Sequence, residues 1–171
     1  MKLPSKDLFV FEKLDFENIQ KMADLASECG LSEWTTEAYQ EELKRSDSRQ
    51  IMVTLYKDLI GFAIMRLISP SSHNGNSLKF EEAEILFIVI APNFQNKNIG
   101  NNLLQKLLEE AAHIGVRTVW LEVRESNQNA INFYKNNNFF YQYRRQNYYQ
   151  RPSENAWIMK RDLGQMPGTK T

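Results

Sequence analysis

Apolar residues recur along this chain at two spacings, close to 2 and close to 3.6, and the changes between them lay out a series of strands and helices. Residues 8–11, Leu-Phe-Val-Phe, predict a first strand. Asp15 is placed to cap a helix reaching Cys29, with Ile19, Met22, Ala23, Leu25 and Ala26 on one side and Gly30 as its stop. Thr35 or Thr36 caps a second helix carrying Ala38, Tyr39, Glu42 and Leu43. Residues 51–56 and 59–68 predict a hairpin that turns at Lys57 and Asp58. Residues 69–79, rich in Ser, Asn, Pro and Gly, predict a loop.

The second half opens on a long apolar strand over 84–91, followed by a helix over 99–114. That helix has Ile99, Leu103, Leu104, Leu107, Leu108 and Ala111 as its buried stripe, and Gly115 ends it. A strand over 118–123, a short helix over 129–136 and a closing pair of strands at 139–143 and 156–160 complete the pattern. The expectation is one mixed α/β domain over residues 1–163, with 164–171 as a frayed tail. A strand–helix–strand unit lies at its centre.

Composition narrows the class. Hydrophobic residues are 42% and charged residues 25% of the chain, the balance of an ordinary globular protein. The formal net charge is +0, which is not the electrostatic footprint of a general nucleic-acid binder. The polar start, Met1-Lys2-Leu3-Pro4-Ser5, lacks the apolar core of a signal peptide, and no stretch nears the roughly 18 apolar residues that span a bilayer. The expectation is a cytoplasmic protein without nucleic-acid or membrane partners. Cys29, the one cysteine, reads as a small buried or half-buried side chain. His73 and His113 have no acidic or cysteine neighbours at metal-ligand spacing, so no metal is expected.

The candidate chemistry begins where the apolar strand ends at Pro92. A polar loop, residues 93–98, feeds the helix that starts near Ile99. Free N–H groups and the helix dipole favour an anion there. The loop contains no acid, and Lys97 adds positive charge. It has neither the Gly-Lys-Ser/Thr of a nucleotide P-loop nor the Gly-x-Gly-x-x-Gly of dinucleotide folds. On the next strand Glu122 alternates with Val119, Leu121 and Val123, and so faces the other way with Trp120 and Arg124. A carboxylate amid an apolar strand must be solvated or paired. It is either an ion-pair partner of Arg124 or Arg117, or a general base. Tyr134 is either a core aromatic or an acid, and Asn127 a helix N-cap, a ligand, or both.

Three blocks occur in order: Gln95-x-x-Asn98-x-Gly100, then Val119-Trp120-Leu121-Glu122-Val123-Arg124, then Ser126-Asn127-x-x-Ala130-x-x-Phe133-Tyr134-x-x-x-x-Phe139. Together they resemble the general-control-related N-acetyltransferase (GNAT) superfamily. Glu84-Ile85-Leu86 through Ile90, Arg144-Arg145-Gln146-Asn147-Tyr148-Tyr149 and Glu33-Trp34-Thr35 are similar to the members of that family that acetylate the N-terminal alanine of a ribosomal protein. Asn98 stands at a usual Gly of the loop, Asn101 at a usual Arg or Gly, and Asn138 at the Gly of a usual Leu-Gly-Phe. Asn is the non-glycine residue that best tolerates a left-handed backbone.

The resemblance implies an α/β (α+β) fold, a mostly antiparallel sheet splayed between two parallel strands and flanked by helices. Acetyl-CoA would lie in the cleft between strands 84–91 and 118–123. Backbone groups of Ile88, Val89 and Ile90 would hold its pantetheine arm, with a side-chain contact from Asn127. Gln95, Asn96, Lys97, Asn98, Ile99, Gly100 and Asn101 would form the pyrophosphate loop. Glu122 would be the general base and Tyr134 the general acid in a direct transfer. Trp34, Arg144, Arg145, Tyr148 and Tyr149 would grip the N-terminus of a protein or peptide acceptor, a small-subunit ribosomal protein among them. Other acceptors, a small-molecule amine or a lysine, fit the same fold, as does a silent acetyl-CoA-binding module.

Overall fold

Asp15 does what its position predicts, although the structure it caps is shorter. In the computed structural model, which describes residues 9–31, 34–68 and 80–164, its side chain accepts from the Asn18 N–H at 3.1 Å and caps a single 3₁₀ turn. Helix α1, Ile19–Glu28, follows directly. Gly30, at φ +76°, ends it in the left-handed conformation. The Thr35 hydroxyl accepts from the Ala38 N–H at 3.3 Å and starts α2, Thr36–Lys44. The expected loop at 69–79, with His73, and the tail from 165 onward lie outside the described residues, as do Leu8 and Glu33.

The strands are β1 Phe9–Lys13, β2 Ser48–Leu55, β3 Asp58–Ile68, β4 Glu82–Ile90, β5 Thr118–Arg124, β6 Phe140–Gln150 and β7 Ser153–Asp162. Helices α3, Ile99–Ile114, and α4, Gln128–Asn136, flank β5 in sequence. The strand order is β1-β2-β3-β4-β5-β7-β6. Among the described pairings, β4 with β5 is the parallel one, and the others are antiparallel. The parallel ladder runs from Glu82↔Thr118 to Ile85↔Leu121 and ends there.

Two compact units divide the chain, one from Met1–Arg66 with Phe87–Leu107, the other from Leu67–Leu86 with Leu108–Thr171. In the first, the β2–β3 turn is one residue earlier than its sequence suggests. Tyr56 and Lys57 adopt φ +50° and +72°, the left-handed pair that a two-residue hairpin requires. Tyr39 of α2 is fully buried and meets Phe62 of β3 and Phe87 of β4 at ring centroid distances of 6.0 and 6.1 Å. Gly61 is required where it stands. A Cβ there would lie 2.7 Å from the Val89 carbonyl oxygen and 2.6 Å from Ile90 Cδ1. In the second unit, β5 alternates half-buried and buried positions, with Val119, Leu121 and Val123 in the core. β7 carries the buried Ala156, Ile158 and Met159, whereas β6 is exposed along nearly all of its length.

Among the described residues the buried Tyr39 hydroxyl has no hydrogen-bond partner, and burial pushes its ionisation up to about 12. An unpaired buried hydroxyl costs folding energy. Tyr39→Phe is therefore expected to stabilise the protein by about 1 kcal/mol in urea unfolding at neutral pH. The raised ionisation adds a pH dependence. Between pH 10 and 12 the unfolded tyrosine releases its proton and the native one keeps it, so wild-type stability falls as pH rises. The phenylalanine variant should lose less over that window, and parallel pH curves for the two proteins would refute the assignment.

Candidate active site

The site residues of the first unit follow from the end of β4. The Ala91 N–H donates to the Ile60 carbonyl at 2.9 Å, so the backbone of odd-numbered positions there faces β3. Alternation turns the backbone of Ile88 and Ile90 away from β3 and commits that of Val89 toward it. The Ile90 carbonyl accepts the Gln95 side-chain amide at 3.0 Å and the Cys29 thiol at 3.5 Å. Gln95 thus braces the strand end against the loop. Cys29 is half-buried, and burial followed by the neighbouring Glu28 pushes its thiol up.

The loop then makes two left-handed turns at asparagine, Asn96 at φ +58° and Asn98 at +64°. The Asn102 N–H donates to the Asn98 carbonyl at 3.1 Å, which leaves the N–H groups of Ile99, Gly100 and Asn101 leading the helix. The side chains of Asn98 and Asn101 tie to each other at 2.6 Å, and Asn98 reaches Asn102 at 3.4 Å. Lys97 is folded back on the loop, 2.5 Å from the Asn93 carbonyl and 5.3 Å from the Phe94 ring. The 16-residue α3 behind this exposed turn directs its positive end at it. Trp34 belongs to the aromatic cluster of the same unit, 4.8 Å edge-on to Phe87 and 5.3 Å from Tyr39.

In the second unit, Glu122 projects with Trp120 into an open groove of about 250 Å³. Glu82, Glu84, Tyr143 and Arg145 line it as well, with Ile68 and Ile158 as apolar wall. The Glu122 carboxylate pairs with the Arg145 guanidinium, and the Tyr148 hydroxyl lies near enough to feel its charge. Its ion-pair partner is therefore neither Arg124 nor Arg117. Arg124 is taken by Glu154 at 3.3 Å and stacks 4.0 Å from the Tyr149 ring. The Glu122 carboxylate, and then burial, push Tyr148 up to about 12.

A break in β6 makes this grouping possible. Residues three apart on an unbroken strand face opposite ways. Here residues 146–148 stand against the single Asn155, between the pairs Arg145↔Ala156 and Tyr149↔Glu154. Asn147 takes φ +49° at the bulge, and its N–H donates to Asn155 Oδ1 at 3.0 Å. Arg145 and Tyr148 consequently meet, the guanidinium 5.5 Å from the ring.

Beyond β5 a carboxylate network fixes the turn into α4. Glu154 accepts the Ser126 N–H at 2.6 Å, and Glu125 accepts Asn155 at 2.7 Å and the Trp157 indole at 3.1 Å. These bonds hold both carboxyls below the usual range. Asn127 caps α4, its side chain accepting from the Ala130 N–H at 3.0 Å. One turn later Tyr134 packs between Phe133 and Phe139, at 5.1 and 5.6 Å. Burial, and then Tyr149, push its hydroxyl well above the usual tyrosine range. Asn138 takes φ +60° just past the helix, where a glycine would otherwise serve.

Of the five acceptor candidates, Arg145 and Tyr148 are brought onto Glu122. Arg144 goes to Glu125 at 3.5 Å, and Tyr149 goes to Arg124. Glu82 and Tyr143 in the groove, and Asn155 behind the bulge, are not singled out by sequence. Nothing local marks them, since each reaches its place through strand pairing.

Comparison with known proteins places the chain among acetyltransferases. The family model described as the acetyltransferase (GNAT) family matches residues 19–139. The [ribosomal protein bS18]-alanine N-acetyltransferase of Haemophilus influenzae is 34% identical over 155 residues, covering 86% of this chain and 92% of that protein. The crystal structure of the ribosomal-protein-S18-alanine N-acetyltransferase from Escherichia coli superposes with a TM-score of 0.78 at 24% identity, over 95% of this chain and 98% of that one. The acetyl-CoA complex of Arabidopsis thaliana NAA60 gives a TM-score of 0.78 at 16% identity, over 91% of this chain and 99% of that one.

Proposed function

The chain belongs to the acetyltransferase (GNAT) family and is an N-acetyltransferase, and from that premise we propose that it passes the acetyl group of acetyl-CoA directly to the N-terminal α-amine of a protein beginning with alanine, a ribosomal protein as in its relatives. The observation that carries this reading is the family match itself. Residues 19–139 contain the asparagine loop, Glu122, Asn127 and Tyr134 together. Because the match draws on both units, it supports one catalytic domain over residues 1–163. A groove lined by the carboxylates of Glu82, Glu84 and Glu122 suits an acceptor that arrives as an ammonium ion. A ribosomal-protein acceptor would set the reaction in the cytoplasm.

In this reading the loop of Gln95, Asn96, Lys97, Asn98, Ile99, Gly100 and Asn101 binds the pyrophosphate through its N–H groups. Ile88 and Ile90 offer backbone groups to the pantetheine arm, Val89 supplies core between them, and Asn127 adds a side-chain contact. Glu122 takes a proton from the acceptor ammonium. The freed amine attacks the thioester carbonyl, whose oxyanion falls to a backbone N–H at Ile88 or Ile90. The C–N bond forms, the C–S bond breaks, and Tyr134 gives the thiolate its proton. Holding both substrates removes much of the entropic barrier, so no acetyl-enzyme is required. Trp34, Arg144 and Tyr149 contact the acceptor chain.

Mass spectrometry of an alanine-first peptide that also carries a lysine, incubated with the protein and acetyl-CoA, tests this reading. One acetyl group on the N-terminal amine is the expected product. Acetylation of the lysine alone would move the assignment to side-chain amines. Acetyl-CoA binding without any product would exclude this acceptor, and no binding at all would make the chain a silent module.

A further inference from the structure

The Glu122–Arg145 contact is unusual for a group assigned to take a proton, because the guanidinium occupies the carboxylate that the acceptor's ammonium has to reach. Three observations turn this into a device. The two partners differ in exposure: the Arg145 side chain is 47% exposed and that of Glu122 15%, so the guanidinium reaches in from solvent to a sheltered carboxylate. An ion pair with one partner so exposed holds weakly and is easily exchanged. Tyr148 stands beside the same pair, its ring 5.5 Å from the guanidinium, and it is fixed by the bulge, with Asn147 pinned to Asn155 at 3.0 Å. Among the residues that line the groove, Arg145 is the cation, beside the carboxylates of Glu82, Glu84 and Glu122, and it pairs with Glu122. A second cation entering there meets carboxylates and competes with one guanidinium.

We propose that Arg145 is a displaceable guard on the base: in the free protein its guanidinium occupies Glu122, and the acceptor's ammonium reaches that carboxylate by taking its place, while Tyr148, held by the bulge, stays beside the carboxylate and keeps it aimed. This rests on Glu122 being the base. The exchange swaps one cation for another, so the sheltered carboxylate is never left unpaired. The carboxylate is thus open to a substrate proton only with an acceptor in the groove. Arg145 and Tyr148 are positioning residues in this scheme, acting through Glu122.

The test is steady-state kinetics of the full chain with an alanine-first peptide and acetyl-CoA, comparing wild type with Glu122→Gln, Arg145→Gln, Arg145→Lys and Tyr148→Phe. Arg145→Gln should lower the acceptor KM by about 2- to 5-fold, on the order of one exposed charge contact, with acetyl-CoA KM unchanged. Arg145→Lys, which keeps a cation beside Glu122, should return the acceptor KM toward wild type. Tyr148→Phe should lower kcat with little change in acceptor KM. An acceptor KM that rises in Arg145→Gln means that Arg145 grips the acceptor, and one that stays constant means the pair is passive. Either result overturns the guard. If Glu122→Gln retains wild-type kcat, the base assignment itself falls, whichever way the Arg145 variants move. Should Arg145→Gln fail to fold by circular dichroism, an Arg145→Lys acceptor KM far from wild type is itself enough to overturn the proposal.

Discussion

Glu122→Gln is expected to lower turnover about 10²- to 10⁴-fold, the range that a positioned general base supplies, while acetyl-CoA binding measured by calorimetry stays as in wild type. Glutamine matches glutamate in shape, so the groove retains its form. What disappears is the capacity to accept a proton. The Arg145 guanidinium loses its charge partner, but at 47% exposure it turns to water at little cost. Acetyl-CoA affinity should hold because in the proposed function the pyrophosphate is bound by N–H groups of residues 95–101 and not by a carboxylate. The result that would sink the assignment is a matched fall in turnover and in acetyl-CoA affinity, since that would make Glu122 a cofactor-binding residue.

The parts of this molecule legible in sequence are those decided within one or two elements. Helix α3 is bounded as its leucine stripe predicts, from Ile99 to Ile114. The left-handed asparagines are also local. Asn98 and Asn138 stand at positions where the chain demands a positive φ, and they adopt +64° and +60°. The hairpin turn was misplaced by a residue because neither Tyr56 nor Lys57 belongs to the usual turn formers, and pairing of β2 with β3 overrides their preference.

The larger miss is β6. Its apolar run suggested residues 139–143, yet the strand runs over Phe140–Gln150. The extra length, Arg-Arg-Gln-Asn-Tyr-Tyr-Gln, has no alternation to read, because this strand ends the sheet and is exposed on both faces. Pairing with β7 alone makes it a strand. The miss extends to the site. The partner of Glu122 is 23 residues away, on the far side of a bulge that only the register against β7 reveals. Alternation along β5 fixed the face on which Glu122 lies, but not what stands opposite it.

Tyr134→Phe is the second large effect, with kcat expected to fall about 10²-fold or more and acetyl-CoA affinity to remain near wild type. Phenylalanine keeps the ring contacts to Phe133 and Phe139, so the core around α4 survives, and loss of one hydroxyl changes stability by about 1 kcal/mol. The missing group is the proton for the departing thiolate. Burial has already pushed that hydroxyl well above the tyrosine range, so it keeps its proton across any practical assay pH. Tyr134 should therefore contribute no loss of activity on the alkaline side up to about pH 10, where an ordinary tyrosine titrates. A hydroxyl that only held the pantetheine arm would behave otherwise: its removal would weaken acetyl-CoA binding in step with turnover, and kcat at saturation would recover. Measuring kcat at saturating acetyl-CoA beside the binding constant separates the two, because a lost proton donor cannot be restored by adding more cosubstrate.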